Sequence, residues 1–461
     1  MIAAVALAQQ GVDVALLEAN DVPGKKILAT GNGKCNFTNT FQSEQCYRGQ
    51  QPGAAMELLK RYDVAYVLRF FEGLGILAKQ REGYWYPNSE QAASVREAFA
   101  LRLFELSVPI CVNTHVDQIR KEKNFIIKAS CREKLSDGRK TSGKTSGKKT
   151  GKPLFSQSRE VCFEAEYVVL ATGGCAGNVS GADGSGYALA ESLGHRVVLP
   201  VPALVQLKIG GQAHSAKQAW TQADAGREKR AWQALAGVRT HAKLSLCIED
   251  VDGTRQEHSE RGEILFTDYG LSGIPTMQLS RFAARKLAAW GQAKKAQCGK
   301  IEVLLDFFPD TSENDLQRML VSRFQTFPGR TARDALIGLL PSKLNAALLE
   351  KAGLLADIAP ARQSGKGNDE AARCAEMLAR CMKHFAAPVC GTNGFENAQV
   401  TAGGVALCEL HVQTMESKLV GGLYAIGELA DIDGTCGGYN LQWAWMSGLA
   451  AAEAICRRKK K

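Results

Sequence analysis

The chain has 461 residues, 45% hydrophobic and 23% charged, with a formal net charge of +10. That length accommodates two or three domains around a sizeable core, and no stretch approaches the roughly 20 apolar residues that a membrane-spanning helix needs. The positive excess sits in Arg139, Lys140, Lys144, Lys148, Lys149 and Lys152, set against Asp137, and in the tail Arg457, Arg458, Lys459, Lys460 and Lys461. The body is therefore near neutral, and the charge reads as a solvated loop and a tail, not as a specific nucleic-acid face. Fourteen cysteines occur without one Cys-x-x-Cys pair, which supports neither a metal site nor a disulfide framework and makes a reducing cytoplasm the simplest compartment.

Ile2, Ala3, Ala4, Val5, Ala6, Leu7 and Ala8 predict a core helix that stops at Gly11. Val12, Val14, Leu16 and Leu17 then predict a short buried strand ending on Glu18. In a dinucleotide-binding βαβ unit this is the first helix, the second strand and the carboxylate that accepts ribose hydroxyls. The strand and the G-x-G-x-x-G turn that open such a unit are not in this sequence, so the chain is expected to be truncated at its N-terminus.

Helical spacing follows at 56–75 and again at 92–106, and 112–130 read as two strands with a turn at 121–124. Residues 136–158, rich in Ser, Gly, Thr and Lys with tandem Thr-Ser-Gly-Lys copies, predict a disordered basic insertion. A buried strand at 167–171 runs into Thr172, Gly173 and Gly174, and a helix is expected at 186–193. Short strands then mark a β-rich domain over 200–275, within which 214–232 receives no assignment. Residues 276–395 read as mainly helical, with an N-cap pattern at Ser312 and Asp315 and one strand at 301–305. From 396 to 461 the chain returns to strands and glycines and closes on a helix at 441–458. The first domain, 1–199, is thus completed by the C-terminus.

Four glycine-rich segments carry the chemistry through their order. Glu18 is followed by Gly24, Lys25, Lys26, Thr30, Gly31, Asn32, Gly33, Lys34, Cys35 and Asn36. Glycines there let backbone N–H groups approach a ring or pyrophosphate, and the lysines offset phosphate charge. Thr172, Gly173 and Gly174 close a buried strand. Val400, Thr401, Ala402, Gly403, Gly404 and Val405 form the third segment. The fourth is a strand ending in Gly427 and Glu428, followed by Asp431 and by Gly437, Gly438, Tyr439, Asn440 and Leu441 at a helix N-terminus. Such a terminus carries about half a positive charge.

With these blocks in place the sequence resembles the bacterial family of FAD-dependent flavoproteins that includes aminoacetone oxidase and the dehydro-bile-acid reductase. The matching blocks are 24–39 (GKKILATGNGKCNFTN), 262–280, 400–405, 415–418 and 421–448. The resemblance implies an α/β, Rossmann-like fold of two dinucleotide-binding domains, with an inserted β-barrel-like domain and a helical domain over the active site. It implies that Glu18 binds the adenosine ribose and the backbone near Val116 the adenine. Thr30, Gly31, Gly33, Cys35 and Asn36, with Thr172, Gly173 and Gly174, would line the dinucleotide, and Lys26 would face it. Asp431 and the turn Gly437, Gly438, Tyr439, Asn440 and Leu441 would hold the ribityl chain and the ring, with Glu428 a second carboxylate for the ribityl. Tyr84 stands where an arginine is expected, which would alter substrate contacts.

The function this implies is an oxidoreductase that moves hydride through flavin N5 between a small organic substrate or NAD(P)H and an acceptor. No second G-x-G-x-x-G marks a nicotinamide domain, so NADH or NADPH would share the substrate cleft. The alternatives are a flavin- or nucleic-acid-associated protein without turnover and an inactive truncated product. No catalytic acid or base is identified. His195, after Gly194, reads as a partner of a helix C-terminus, Cys35 and Cys436 as small packing residues, and Trp443 and Trp445 as core.

Overall fold

A computed structural model describes residues 1–132, 158–177, 181–210, 230, 232–293, 299–360 and 368–460. Of the insertion expected at 136–158 only residue 158 is among them, and of the unassigned segment 214–232 only 230 and 232. The chain divides into two units, Met1–Pro200 with Val400–Lys461, and Val201–Gln399.

In the first unit the parallel order expected of a dinucleotide-binding fold appears as two strand pairs. Leu16–Leu17 lies beside Ile110–Cys111, and Val168–Leu170 lies beside Leu423–Ala425. Among the described residues these belong to separate sheets. An antiparallel layer of Thr114–Lys121, Phe125–Cys131 and Arg159–Ala165 is joined in that order. The helix Ile2–Gln9 packs against the long helix Tyr439–Lys459, and a glycine makes that approach feasible. A Cβ on Gly448 would lie 2.6 Å from Ile2 Cγ2.

The core is completed by aromatic rings. Phe37 stacks on Phe71 with centroids 4.7 Å apart, and Trp445 meets Phe71 and Phe99 at 5.3 and 5.9 Å. The single helical stretch expected at 56–75 is two helices, Gly53–Leu59 and Val64–Glu72. Asp63 makes the break, because its carboxylate accepts from Tyr66 N at 2.7 Å and so starts a new helix.

The second unit is built on a closed antiparallel barrel. Its strands run in the order Leu207–Ile209, Gly270–Ser272, Arg255–Phe266, Arg239–Glu249, Lys300–Asp306 and Phe385–Thr392, and the last pairs with the first. Two of the six strands come from 276–395, so the β-rich and helical segments expected as separate domains fold together. The physical reason is a shared core. Leu244, Leu246, Val303 and Leu305 from the barrel and Leu316, Leu320, Leu348 and Leu378 from the helices belong to one buried cluster. Helix Glu313–Thr326 begins as expected, with Ser312 Oγ accepting from Asp315 N at 3.1 Å.

Candidate functional site

The glycine segments meet in the first unit. Gly24, with φ +79°, caps the short helix Lys25–Ala29, and the chain then turns through left-handed backbone at Gly31, Asn32, Gly33 and Cys35. Gly33 and Gly173 share a feature that distinguishes them from packing glycines. Both have positive φ, and a Cβ on either would meet nothing within 4 Å. Their backbone faces open space.

Next to them the neighbouring glycine is locked. A Cβ on Gly174 would lie 2.4 Å from Thr401 Oγ1 and 2.8 Å from Glu428 Oε1. Thr401 itself is fully buried. Its backbone N donates to Glu428 Oε1 at 2.8 Å, and its hydroxyl accepts from Cys175 N at 2.8 Å. Lys26 Nζ lies 3.9 Å from Glu428 Oε2 and donates to Ala176 O. The first, second, third and fourth segments thus converge on the half-buried Glu428 carboxylate.

The backbone under Glu428 is held from the long helix. Trp443 Nε1 donates to Gly427 O at 2.9 Å, and Gly427 N donates to Ser447 Oγ at 2.9 Å. The same helix starts at Gly438, φ +90°, with no side chain capping its first N–H groups. Asn440 folds back instead, exchanging two hydrogen bonds with the Gly434 backbone at 2.8 and 2.9 Å. Gly438 has to be glycine because a Cβ would sit 2.9 Å from both Asn36 Oδ1 and Thr38 O. Tyr439 is buried, and Leu441 is half-buried.

Glu18 stands at the end of Leu16–Leu17, half-buried, with Oε1 accepting from Asn20 N and Nδ2 at 2.8 and 2.7 Å. Lys25 Nζ reaches Asn20 Oδ1 at 3.4 Å, so Glu18 is tied to the helix that carries Lys26. Val116 lies on the neighbouring strand, half-buried at a register shift, and Thr114 N donates to Glu18 O at 2.9 Å. Thr172 is exposed, and Thr30 Oγ1 donates to Ile27 O at 2.6 Å.

Two expected residues are fully buried. Asp431 is fully buried, and its Oδ2 accepts from Gln50 N at 3.0 Å, a backbone bond of the same kind that Glu428 takes from Thr401. Cys35 is fully buried, and burial pushes its thiol up to about 11 against an opposing bond from Thr30. It stays protonated at neutral pH and is no nucleophile.

Three residues that shape the site went unmarked in the sequence. Thr401 lay inside a recognised glycine block without a role, because a buried threonine in a strand carries no motif of its own. Asn20 had a usable signal, since an asparagine two residues past a strand-end carboxylate readily bonds locally. Trp443, read as core, is core and also a hydrogen-bond donor to the Glu428 loop. Among the described residues no group of three or more His, Cys, Asp or Glu could hold a metal ion.

A family model described as "HI0933-like protein Rossmann domain" matches residues 1–151 and 140–454. The 3-dehydro-bile acid delta(4,6)-reductase of Clostridium scindens is 36% identical over 99% of this chain and 97% of its own length. Ribosomal RNA dihydrouridine synthases of Haemophilus influenzae and Escherichia coli are 26% and 27% identical, each over 98% of this chain and 94% of its own length. Among solved structures, 3-ketosteroid-delta4-(5alpha)-dehydrogenase from Rhodococcus jostii RHA1 is 12% identical at a TM-score of 0.44, covering 99% of this chain and 94% of its own.

Proposed function

This chain belongs to the HI0933-like Rossmann-domain family, and we propose that it uses FAD to reduce a carbon–carbon double bond conjugated to a carbonyl in a small organic molecule. It is an FAD-dependent oxidoreductase. One observation carries the choice of bond: two kinds of full-length relative, with unlike substrates, share it. One is named for reducing delta(4,6) unsaturation in a 3-dehydro bile acid, the other for making dihydrouridine in ribosomal RNA. A 3-oxo group conjugated through the 4,6-diene, and the uracil double bond beside its carbonyl, are both polarised alkenes. Each accepts hydride at the carbon remote from the carbonyl and a proton at the near one.

The residues present fit FAD. Glu18 offers a strand-end carboxylate for ribose hydroxyls, and Gly33 and Gly173 offer open left-handed backbone where a Cβ would obstruct a ligand. Lys26 places a cation beside Glu428 to offset phosphate charge, and half-buried Glu428 presents a carboxylate suited to ribityl hydroxyls. The helix Tyr439–Lys459 directs uncapped N–H groups and its positive end toward whatever lies before Gly438. When bound and reduced by the electron donor, FAD would supply the hydride, and the protein supplies orientation and electrostatics. NADH or NADPH is the proposed electron donor.

A small substrate is preferred over RNA because part of the basic tail is already engaged within the chain. Arg458 pairs with buried Glu416 at 2.7 Å, and Arg457 pairs with Glu453. The test is to purify the protein with FAD, reduce it without oxygen using NADH or NADPH, and add either a 3-keto-4-ene steroid or a uridine-containing ribosomal RNA fragment. Return of the oxidised flavin bands with the steroid, and not with the RNA, is the expected result. Reoxidation by the RNA alone would transfer the protein to the second reading, and a protein that takes up no FAD would remove both.

A further inference from the structure

We infer that Thr401 is a positioning residue for the cofactor, the joint that fixes the Thr172 to Cys175 crossing against the Glu428 carboxylate. This rests on the FAD reading above and goes beyond it by assigning a role to a side chain that touches neither solvent nor the open glycine surface.

Thr401 makes two bonds through two different atoms. Its backbone N–H is committed to Glu428 Oε1, and its hydroxyl oxygen takes the Cys175 N–H. Between those bonds sits Gly174, which has no space for a Cβ against either partner. Gly173, the residue before it, is the one that faces open space with a φ of +73°. A small rotation of the crossing about Gly174 would therefore swing the half-buried Gly173 backbone away from a ligand while leaving the strand Val168–Leu170 paired with Leu423–Ala425. Thr401 is the side chain placed to prevent that rotation. Gly186 reinforces the same strand end from the other side, since a Cβ there would fall 1.8 Å from Thr172 Oγ1.

Removing only the hydroxyl isolates this role. Thr401→Val keeps shape, β-propensity and the backbone bond to Glu428, but leaves the Cys175 N–H without its acceptor. Thr401→Ser keeps the hydroxyl and loses one methyl group. Apoprotein of each is titrated with FAD by flavin fluorescence, with the visible absorption of the bound form recorded and the apoprotein confirmed folded by circular dichroism at the titration temperature. The expected result is an FAD Kd raised by about tenfold in Thr401→Val, the scale of one lost hydrogen bond, with shifted flavin bands, and near wild-type behaviour in Thr401→Ser.

Wild-type Kd and unshifted bands in Thr401→Val would overturn the inference while leaving the FAD reading intact. The same holds if Thr401→Ser binds as weakly as Thr401→Val, because the methyl group would then be what matters. Should Thr401→Val not fold, Thr401→Ser against Thr401→Ala provides the comparison. Wild-type protein that does not bind FAD overturns the underlying reading itself.

Discussion

Trp443 Nε1 donates to Gly427 O at 2.9 Å, so the indole of the last helix fixes the loop that carries Glu428. The ring is 1% exposed, and this bond joins the sheet end to the helix whose N-terminus is part of the site. Trp443→Phe keeps an aromatic ring but leaves the Gly427 carbonyl with the Ala430 N–H alone, at 3.2 Å, and opens a cavity. We expect a loss of about 2–4 kcal/mol in unfolding free energy and weaker FAD binding, read by urea denaturation and flavin titration. Lost stability with unchanged FAD affinity would mean that the tryptophan supports the fold alone.

His195 joins a Ser–His–Glu constellation that is structural. Its Nδ1 lies 3.1 Å from Glu409 Oε2 and its Nε2 2.8 Å from Ser417 Oγ, with the imidazole buried. Ser417 Oγ already accepts from Leu419 N at 3.0 Å and Val420 N at 2.9 Å. Its hydrogen therefore goes to Nε2, which leaves Nδ1–H to donate to Glu409. A serine so buried is no hydrolytic nucleophile. Fluorophosphonate labelling should miss Ser417, and Ser417→Ala should cost about 2–4 kcal/mol because two backbone donors lose their acceptor. Labelling at Ser417 in the folded protein would contradict this assignment.

Cys35 should alkylate far more slowly than the exposed cysteines. Its thiol is fully buried and pushed up to about 11 by that burial, whereas Cys162 and Cys408 are exposed. Iodoacetamide at neutral pH, followed by peptide mass spectrometry, should modify those two and spare Cys35. The same shift has a sign in stability. The unfolded thiol ionises near 9 while the folded one holds its proton, so this contribution is present below pH 9 and is lost as pH rises toward 11. Cys35→Ser should flatten the alkaline limb of an unfolding curve.

Tyr187 offers a substitution expected to help. Its hydroxyl is buried beside the Thr401 side chain without a well-formed hydrogen bond, and burial, then the Glu428 carboxylate, push its ionisation well above the usual phenol range. A buried hydroxyl with poor hydrogen-bond geometry is a desolvation cost, so Tyr187→Phe should leave stability unchanged or raise it by up to about 1 kcal/mol. A lower thermal midpoint would show that the hydroxyl is satisfied in solution.

Local pattern carried well wherever one short segment contains the whole cause. Ser312 caps its helix through a residue three positions on, and the hairpin Thr114–Lys121 with Phe125–Cys131 falls close to the turn expected at 121–124. Pattern failed where the cause lay elsewhere in the chain. Nothing in 200–275 signals that its barrel is closed by Phe385–Thr392, because strand pairing depends on complementary edges far apart in sequence.

The sequence by itself determined the family of fold and the identity of the glycine segments, since left-handed turns, strand-end carboxylates and apolar periodicity are local demands on residue type. How deeply each carboxylate is buried, and which backbone donates to it, was decided only by tertiary structure. Glu428 and Asp431 stand three residues apart on one loop, and both suit a ribityl chain on paper. Packing buries one against Gln50 and leaves the other half-exposed beside Lys26. That difference is a matter of which distant backbone N–H arrives to donate to each carboxylate, Gln50 for Asp431 and Thr401 for Glu428.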